Sequence, residues 1–343
     1  MKRFNNKFWI FVIVISALYL FFKYFDFTPK RKDIQRIYSK SDISINNIKQ
    51  IDYILYNNFS FNFEQGYFIN YSEKQRNDDP IYYSIFELNS GKKIKEDSIC
   101  YQKFNRIESL ENELLFCIGR SGQSYIYNLS TKTSEEISIT YSYIFKGVLF
   151  SKYNKIIYLG EVEIDQEFVT GFFNYDYKKQ EVKIIYVLEK NQQSKAKNNR
   201  LKYWGYFSPQ ERYIGYTFNM LPKIAIIESE SFQWYNLIYS IDKTNPPVIG
   251  NYQDSYFYRS SIPSNQGFFI SKINNKSNIS LIPILNQYPN NKLILDSYNN
   301  KGQYINSFEI PLNNFNNSFI DYAISINNKI YLIGFNHILT INN

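Results

Sequence analysis

The sequence is poor in the residues that most often build metal sites and catalytic centres. It has one histidine, His337, and two cysteines, Cys100 and Cys117, in 343 residues. A single histidine excludes a zinc site made of several histidines, and two cysteines exclude a disulfide-dense scaffold and a four-cysteine zinc site. His337 lies in the apolar run "GFNHILTI", where a structural role is favoured over a catalytic one. A disulfide between Cys100 and Cys117 remains open, as do two buried free thiols.

The common signatures of nucleophilic catalysis are also missing. "GRSGQS" (119–124) places glycines around Ser121, but it does not have the G-x-S-x-G spacing of a nucleophile elbow. Any Ser-His-Asp triad would have to use His337. Beyond about residue 45 no segment has a convincing helical period, so no residues remain to build a separate α/β hydrolase domain.

One long hydrophobic run is present, at the N-terminus. It extends from Phe8 to Phe22 and continues through Tyr24 and Phe25, which reaches the lower limit for spanning a bilayer. No small-x-small site ends the run, so an uncleaved anchor is favoured over a cleaved signal peptide. We therefore predict a cytoplasmic tail at 1–7, a transmembrane signal anchor at 8–25 and a linker at 26–44.

The side of the membrane is predicted from the N-terminal charges. Lys2, Arg3 and Lys7 precede the apolar run, and moving this short cationic tail across the membrane is the less natural route. We expect a single-pass inner-membrane protein whose residues from 26 onward lie in the periplasm or otherwise outside the cytoplasm. The basic residues after the apolar run are at least as numerous as those before it. The predicted orientation therefore depends on the N-terminal tail alone.

The net charge of +8 is spread along the chain rather than clustered. Its densest soluble stretch is "KNQQSKAKNNRLK", from Lys190 to Lys202. We interpret this stretch as a solvated, mobile loop between sheet elements. No basic helical face and no aromatic-basic RNA motif accompanies it, so nucleic acid is not an expected partner.

Apolar and aromatic residues, in contrast, are abundant, at 44% and 19% of the chain, and they occur in paired runs. In "LILDSYNNKGQYINSFEI" two apolar runs flank an Asn/Gly turn, which predicts an antiparallel hairpin in which Gly302 takes a positive φ. Similar hairpins are predicted at Ile81 to Ile99, Ser124 to Tyr141, Gly171 to Leu188, Lys223 to Ile241 and Leu293 to Ile310. A lone hairpin is only marginally stable, so each must belong to a larger sheet.

The hairpins recur at a spacing that indicates a β-propeller. Their starts lie 43, 47, 52 and 70 residues apart, and the first three intervals suit four-stranded blades of roughly 40 to 50 residues. A shorter hydrophobic strand precedes each hairpin, ending with "QGFFISKI", and we take it as the second strand of each blade. We expect the innermost strands near Phe104, Val148, Tyr203 and Tyr256, and an insertion from Asn274 to Asn291 explains the last interval.

The chain ends are predicted to close the ring. The C-terminal "FIDYAISINNKIYLIGFNHILTINN" supplies three strands, and the apolar segment Ile43 to Tyr56 can supply the fourth. Such closure removes exposed sheet edges. The predicted fold is therefore an all-β, six-bladed β-propeller over residues 45–343, closed by the N-terminal strand. The alternatives are seven blades, or a pair of β-sandwich domains.

Two segments resemble the TolB-like propeller proteins of the bacterial envelope. "YFSPQERYIGYTF" (Tyr206 to Phe218) is similar to the "FSPDGKxIAY" strand-turn-strand of that class, although Gln210 and Glu211 replace its Asp-Gly turn. The stretch Leu293 to Pro311 is similar to the "DxxGxxxxxxxxP" hairpins of the same group. These motifs mark a fold and carry no chemistry. The resemblance implies an envelope protein that binds a protein partner across one mouth of the ring.

Two sets of residues are candidate sites. In "GEVEIDQE" four acidic residues alternate, which on one strand would place them on one face and offer oxygen ligands to calcium; they are Glu161, Glu163, Asp165 and Glu167. A solvated strand edge explains the same pattern. Aromatic residues at the mouth of the ring would suit a protein contact, and the candidates are Trp204, Tyr206 and Trp234, with core packing as the other use.

The favoured hypothesis is a non-catalytic protein-interaction or ligand-binding module, monomeric as a propeller and tethered to the membrane beside an envelope protein partner. The alternative is a propeller enzyme of the lactonase or glycosidase kind, with a carboxylate or calcium site in the central channel. Such an enzyme needs acidic or amide residues at equivalent positions of several innermost strands, and the sequence shows no regular set. No cofactor other than calcium is suggested.

Overall fold

A computed structural model of the chain describes most of the residues after position 57 and a few before it. The described residues are 37, 45–50, 58–62, 66–72, 79–99, 104–119, 123–137, 139, 142–209, 213–218, 221, 223–239, 249–252, 255–258, 267–271, 279–283, 292–299, 301–311, 320–326, 329–334 and 337–342. The predicted membrane anchor at 8–25 lies outside them. Among these residues, no helix is long and apolar enough to cross a bilayer.

The described strands form antiparallel sheets in which neighbours in sequence are neighbours in space, except for β1. Sheet 1 contains β2 (Asn58–Asn62), β3 (Tyr67–Tyr71), β4 (Ile81–Glu87) and β5 (Lys93–Ile99). Sheet 2 contains β6 (Phe104–Glu111), β7 (Leu114–Gly119), β8 (Ser124–Asn128) and β9 (Thr133–Ile137). Sheet 3 contains β10 (Ser142–Phe150), β11 (Lys155–Ile164), β12 (Glu167–Asp176) and β13 (Glu181–Asn191).

The second half of the chain continues the pattern. Sheet 4 contains β14 (Gly205–Pro209), β15 (Tyr213–Phe218), β16 (Lys223–Glu228) and β17 (Trp234–Tyr239). A two-stranded sheet of β18 (Ile249–Tyr252) and β19 (Ser255–Tyr258) follows. Sheet 5 contains β20 (Gly267–Ser271), β21 (Ile279–Pro283), β22 (Lys292–Tyr298) and β23 (Tyr304–Pro311). Sheet 6 joins β24 (Ile320–Ile326), β25 (Lys329–Gly334) and β26 (His337–Asn342) to β1 (Ile45–Gln50).

The sheets are arranged radially, as the blades of a propeller. The first strand of each four-stranded sheet contacts the first strand of the next: β2 with β6, β6 with β10, β10 with β14, β14 with β20 and β20 with β24. Apolar side chains from facing sheets form the core between them; Phe172 of sheet 3, for example, shares a cluster with Tyr216 of sheet 4. Stacked β-sandwich domains do not have this succession of inner strands, so the fold is an all-β propeller.

The two ends of the chain meet in sheet 6. β1 pairs antiparallel with β26, with Ile48 opposite Leu339 and Gln50 opposite His337. β26 is thereby covered by a strand that precedes it by nearly the whole chain, and β1 becomes the outer strand of sheet 6. The domain boundaries at residues 25 and 44 remain predictions.

All five predicted hairpins are present. The last, β22–β23, turns through Gly302 at a φ of +76°, as its sequence predicts, and its second strand ends at Pro311. The side chain of Asn299 accepts the backbone N–H groups of Lys301 and Gln303, both at 2.9 Å, which fixes the turn. Local turn chemistry therefore sets the position of these strands.

The predicted order of strands is wrong between residues 249 and 291. The segment around Tyr256 does not supply an innermost strand; it pairs with β18 in the separate two-stranded sheet. "QGFFISKI" instead supplies β20, the first strand of sheet 5, and the proposed insertion from Asn274 to Asn291 supplies β21, the second. Several apolar runs of similar length lie between residues 249 and 291. The spacing of the hairpins does not show which of these runs join the four-stranded sheet. The inner strand predicted near Tyr203 is β14, which begins at Gly205, so Tyr203 itself lies just before the strand.

Candidate functional site

The four acidic residues of the predicted calcium site are not brought together on one strand face. β11 ends at Ile164, Asp165 and Gln166 form the turn with φ values of 50° and 65°, and Glu167 begins β12. The prediction of one continuous strand is wrong because two consecutive residues with positive φ make a tight hairpin turn that reverses the chain. Across the part of the chain that is described, no group of three or more His, Cys, Asp or Glu side chains could hold a metal ion.

Glu161 instead serves as a buried anchor. Its side chain is 2% exposed, and its carboxylate accepts hydrogen bonds from Ser194 Oγ at 2.5 Å, the Lys195 backbone N–H at 3.1 Å and Thr170 Oγ1 at 3.3 Å. Asn199 Nδ2 donates to Thr170 Oγ1 at 2.8 Å and completes the network. Burying a carboxylate is costly without such partners. The network therefore fixes Ser194 and Lys195, which lead into the helix that follows.

That element is helix α1 (Ala196–Lys202), which lies in the basic stretch. The prediction of a mobile loop is wrong for these residues, because Ala196 and Asn199 are buried and the Glu161 network holds the start of the helix. Glu189 binds its end: the Glu189 carboxylate lies 2.6 Å from Lys202 Nζ and 3.0 Å from the Tyr203 hydroxyl. Burial acts to raise the pKa of Glu189, but the hydrogen bonds from Lys202, Asn191 and Tyr203 lower it overall. The helix is thus held at both ends by carboxylates of sheet 3.

An exposed tryptophan that follows helix α1 lies close to two cations. Trp204 is 37% exposed and lies between α1 and β14, the first strand of sheet 4. Lys146 Nζ lies 5.5 Å from the centroid of its ring, and the guanidinium carbon of Arg200 lies 5.9 Å from it. Both distances are within the range of a cation–π contact. We call Lys146, Arg200 and Trp204 the Trp204 surface.

The other two predicted contact residues have different surroundings. Tyr206, in β14, is partly buried opposite Thr217. Trp234, in β17, is also partly buried, and its ring stacks on Tyr186 with centroids 3.8 Å apart and planes 10° apart. Trp234 therefore packs sheet 4 against sheet 3 and also lines a cleft between them. Of the three aromatic candidates, Trp204 presents the most surface to a partner.

Charged residues of the inner strand β6 join sheet 2 to sheet 3. Arg106 Nη2 donates to the carbonyl oxygens of Phe145 at 2.7 Å and Ile144 at 3.1 Å, and its Nε donates to Glu108 Oε1. Glu108 Oε2 accepts the backbone N–H of Gly147 at 3.1 Å. The two side chains hydrogen-bond to the backbone of β10, so both have a structural use in the inner ring.

The sequence also singles out the two cysteines, Ser121 and His337. Cys117 is a buried free thiol, and its burial, together with the nearby Glu108 charge, raises its pKa. Cys100 and Ser121 lie outside the described residues. His337 begins β26 opposite Gly334, and only its backbone is described.

Comparisons with known proteins give distant likenesses in structure alone. No family model and no curated protein sequence matches the chain. The propeller domain of Cps50 (Swd1) from Myceliophteria thermophila matches with a TM-score of 0.38 and 8% identity, covering 88% of this chain and 99% of that one. BamB from Moraxella catarrhalis matches with a TM-score of 0.41 and 9% identity over 91% and 98% of the two chains. Hsv2 from Kluyvelomyces marxianus matches with a TM-score of 0.39 and 10% identity over 81% and 72%.

At these values the fold assignment rests on the sheet topology of this chain itself. Membership of the TolB-like class, suggested by two sequence motifs, remains a prediction.

Proposed function

We propose that the protein is a membrane-anchored, extracytoplasmic β-propeller that acts as a non-catalytic interaction module for an envelope protein. The observation that carries the proposal is the Trp204 surface. An indole that is 37% exposed, with a cation over the ring from each of two different elements, is typical of a contact residue at a protein interface. The helix that carries Arg200 is held by the buried Glu161 carboxylate at its start and by the half-buried Glu189 carboxylate at its end.

The same proposal includes six blades. Each described four-stranded sheet, including the one that β1 completes, would be one blade, and the β18–β19 hairpin would be an insertion between the fourth and the fifth. The alternative of a channel enzyme receives no support from the inner strand β6. Glu108 is engaged there with Arg106 and the β10 backbone, as is Glu111 with the backbone N–H of Ser151.

The contact surface is tested by capturing partners with the full chain from membranes solubilised in a mild detergent. We expect the wild type to retain a reproducible partner and Trp204→Ala to reduce its recovery at least about tenfold. The control is Tyr82→Ala, which removes an exposed aromatic ring (51% exposed) from sheet 1 and should retain the partner. Equal recovery by both variants, or recovery of the protein alone by the wild type, would refute the proposed surface.

The topology is tested separately by adding a protease to spheroplasts. Residues from 26 onward should be degraded while the short N-terminal tail is protected. Protection of the propeller until the membrane is permeabilised would place it on the cytoplasmic side and reject the proposed orientation.

A further inference from the structure

A cleft lies between sheets 3 and 4 at the margin of the apolar core that joins them. Its volume is about 510 Å³, within the range of roughly 300 to 1,000 Å³ that is usual for small-ligand sites. One wall is the face of sheet 3, where Asn174 of β12 lies opposite Lys183 of β13. The other wall is the turn between β16 and β17, together with Trp234. The cleft is separate from the Trp204 surface and shares no residue with it.

Aromatic rings form the rim of this cleft. Tyr153 is 40% exposed and packs edge-on against Phe232, with ring centroids 5.4 Å apart. Phe232 has a φ of 54°, which is unusual for a bulky residue, and its ring is buried in the core cluster that joins sheets 3 and 4. Strained backbone of this kind concentrates at functional positions. The stack of Trp234 on Tyr186 fixes a third ring.

The charges in the lining compensate one another. Lys155 Nζ lies 2.7 Å from Asp176 Oδ2, so its charge is already met within sheet 3. Lys183 and Glu230, both exposed, have opposite signs and belong to opposite walls. A strongly anionic or cationic ligand would therefore gain little here, and a neutral ligand is favoured.

The wall also contains an unused hydrogen-bond acceptor. Asn174 Oδ1 is buried and accepts no hydrogen bond from the described residues. A buried polar atom without a partner is costly, and turning this amide toward the cleft would break no bond of its oxygen. The same wall therefore offers a ready acceptor to the hydroxyl or N–H group of a ligand.

We infer that this cleft binds a neutral saccharide. A sugar ring presents a flat face of C–H groups, which suits the aromatic rim, and hydroxyls that both donate and accept, which suit Asn174 and Gln233. A wholly apolar ligand would leave these amides unmatched. An extended peptide is recognised mainly through the edge of a sheet, and β13 is the edge of sheet 3, but the Asn174 amide belongs to β12, one strand inside that edge. This inference does not depend on the proposed partner at Trp204.

The test measures binding of short neutral oligosaccharides of glucose and of N-acetylglucosamine to the full chain. Saturation-transfer NMR and titration calorimetry are suitable, in a detergent without a sugar headgroup. We expect at least one oligosaccharide to bind, and Asn174→Ala and Tyr153→Ala to weaken that binding at least about tenfold. Tyr82→Ala is the control for loss of an exposed aromatic ring elsewhere and should bind as the wild type does.

Folding and recognition are separable in this experiment. Because Asn174 Oδ1 accepts no hydrogen bond from the described residues, we expect Asn174→Ala to unfold at the wild-type temperature while it loses the ligand. The inference is overturned if no oligosaccharide binds at millimolar concentration, or if both cleft variants bind as tightly as the control. It is also overturned if a pool of extended peptides binds in an Asn174-dependent way while the oligosaccharides do not.

Discussion

The hydroxyl of Tyr331 donates a hydrogen bond of 2.6 Å to Asn89 Oδ1, although 242 residues separate the two. Tyr331 belongs to β25 in sheet 6, and Asn89 lies in the turn between β4 and β5 in sheet 1. The last sheet of the chain therefore contacts the first. Together with the pairing of β1 and β26, this bond closes the ring by side chains as well as by backbone.

Tyr331→Phe tests how much this closing bond contributes. The ring of Tyr331 is 4% exposed, so the variant keeps the packing and removes only the hydroxyl. We expect the free energy of unfolding to fall by about 1 kcal/mol, the usual net value of one such bond. Chemical denaturation measures the difference, with Tyr82→Phe on an exposed ring as the control. Equal stabilities of the two variants would show that the bond makes no net contribution.

Glu161→Gln tests the buried network under helix α1. The new NH₂ group would face the donors of Ser194 and Lys195, and a buried donor left without an acceptor costs about 1–3 kcal/mol. We expect lower stability and faster trypsin cleavage after Lys197 and Arg200. Glu163→Gln is a matched control, because Glu163 lies on the same strand but is exposed. If both variants are cleaved at the wild-type rate, the carboxylate does not hold the helix.

Asp176 should make stability depend on pH in the acid range. Burial acts to raise its pKa, but hydrogen bonds from Lys155 at 2.7 Å and from the backbone N–H groups of Lys179 and Lys178 lower it overall. A lowered folded pKa stabilises the protein fully above the unfolded value, about 3.9 for Asp, and this contribution is lost as the pH falls through the folded pKa.

We therefore expect Asp176→Asn to be less stable than the wild type at neutral pH, with a difference that shrinks on acidification. Denaturation midpoints measured from neutral pH to below pH 3 would show the convergence. The control is Glu136→Gln at an exposed position of β9. A difference for Asp176→Asn that is the same at every pH would contradict the assigned cause.

Sequence reasoning was most successful where the signal is local. Each predicted hairpin contains its own turn residues, and the turn at Gly302 has the conformation that its sequence requires. The strands around Tyr256 and Ile279 could not be assigned in this way, because both segments are apolar, of similar length and bounded by polar residues. Which of them joins a large sheet depends on contacts with distant strands.

The surroundings of the candidate site residues were also hard to predict from sequence, because they depend on contacts between distant parts of the chain. The sequence predicts Trp204 as an aromatic contact residue at the mouth of the ring, but its two cations come from β10 and α1, which are far apart in the chain. The alternation of acidic residues from Glu161 to Glu167 suggested one strand, since the two-residue turn at Asp165 contains no glycine or proline to mark it. The burial of Glu161 is decided by the packing of helix α1, which sequence alone does not show.

Cys117 should be chemically silent in the folded protein. Its side chain is fully buried, and burial and the Glu108 charge raise its pKa, so the reactive thiolate is scarce. In a Cys100→Ser background we expect no labelling by iodoacetamide at neutral pH, and complete labelling after denaturation. Labelling of the folded protein at the rate of a small free thiol would show that the site opens readily.

Ile37, which precedes β1, is hydrogen-bonded to sheet 5. The backbone N–H of Ile37 donates to the Tyr304 hydroxyl at 3.1 Å, and the backbone N–H of Ser307 donates to the Ile37 carbonyl at 2.8 Å. The Tyr304 hydroxyl lies 2.6 Å from Ser307 Oγ, which donates at 2.6 Å to the buried Asp296 carboxylate. This relay orients the Tyr304 oxygen to accept from Ile37.

Tyr304→Phe removes the acceptor for Ile37 while it leaves the backbone bond of Ser307 in place. We expect trypsin to cleave after Arg36 several times faster in the variant, because local opening of this segment loses one hydrogen bond of about 1 kcal/mol. The control is Tyr239→Phe, whose ring is 51% exposed on β17. Cleavage at the same rate in both variants would mean that the backbone bond alone holds the segment against sheet 5.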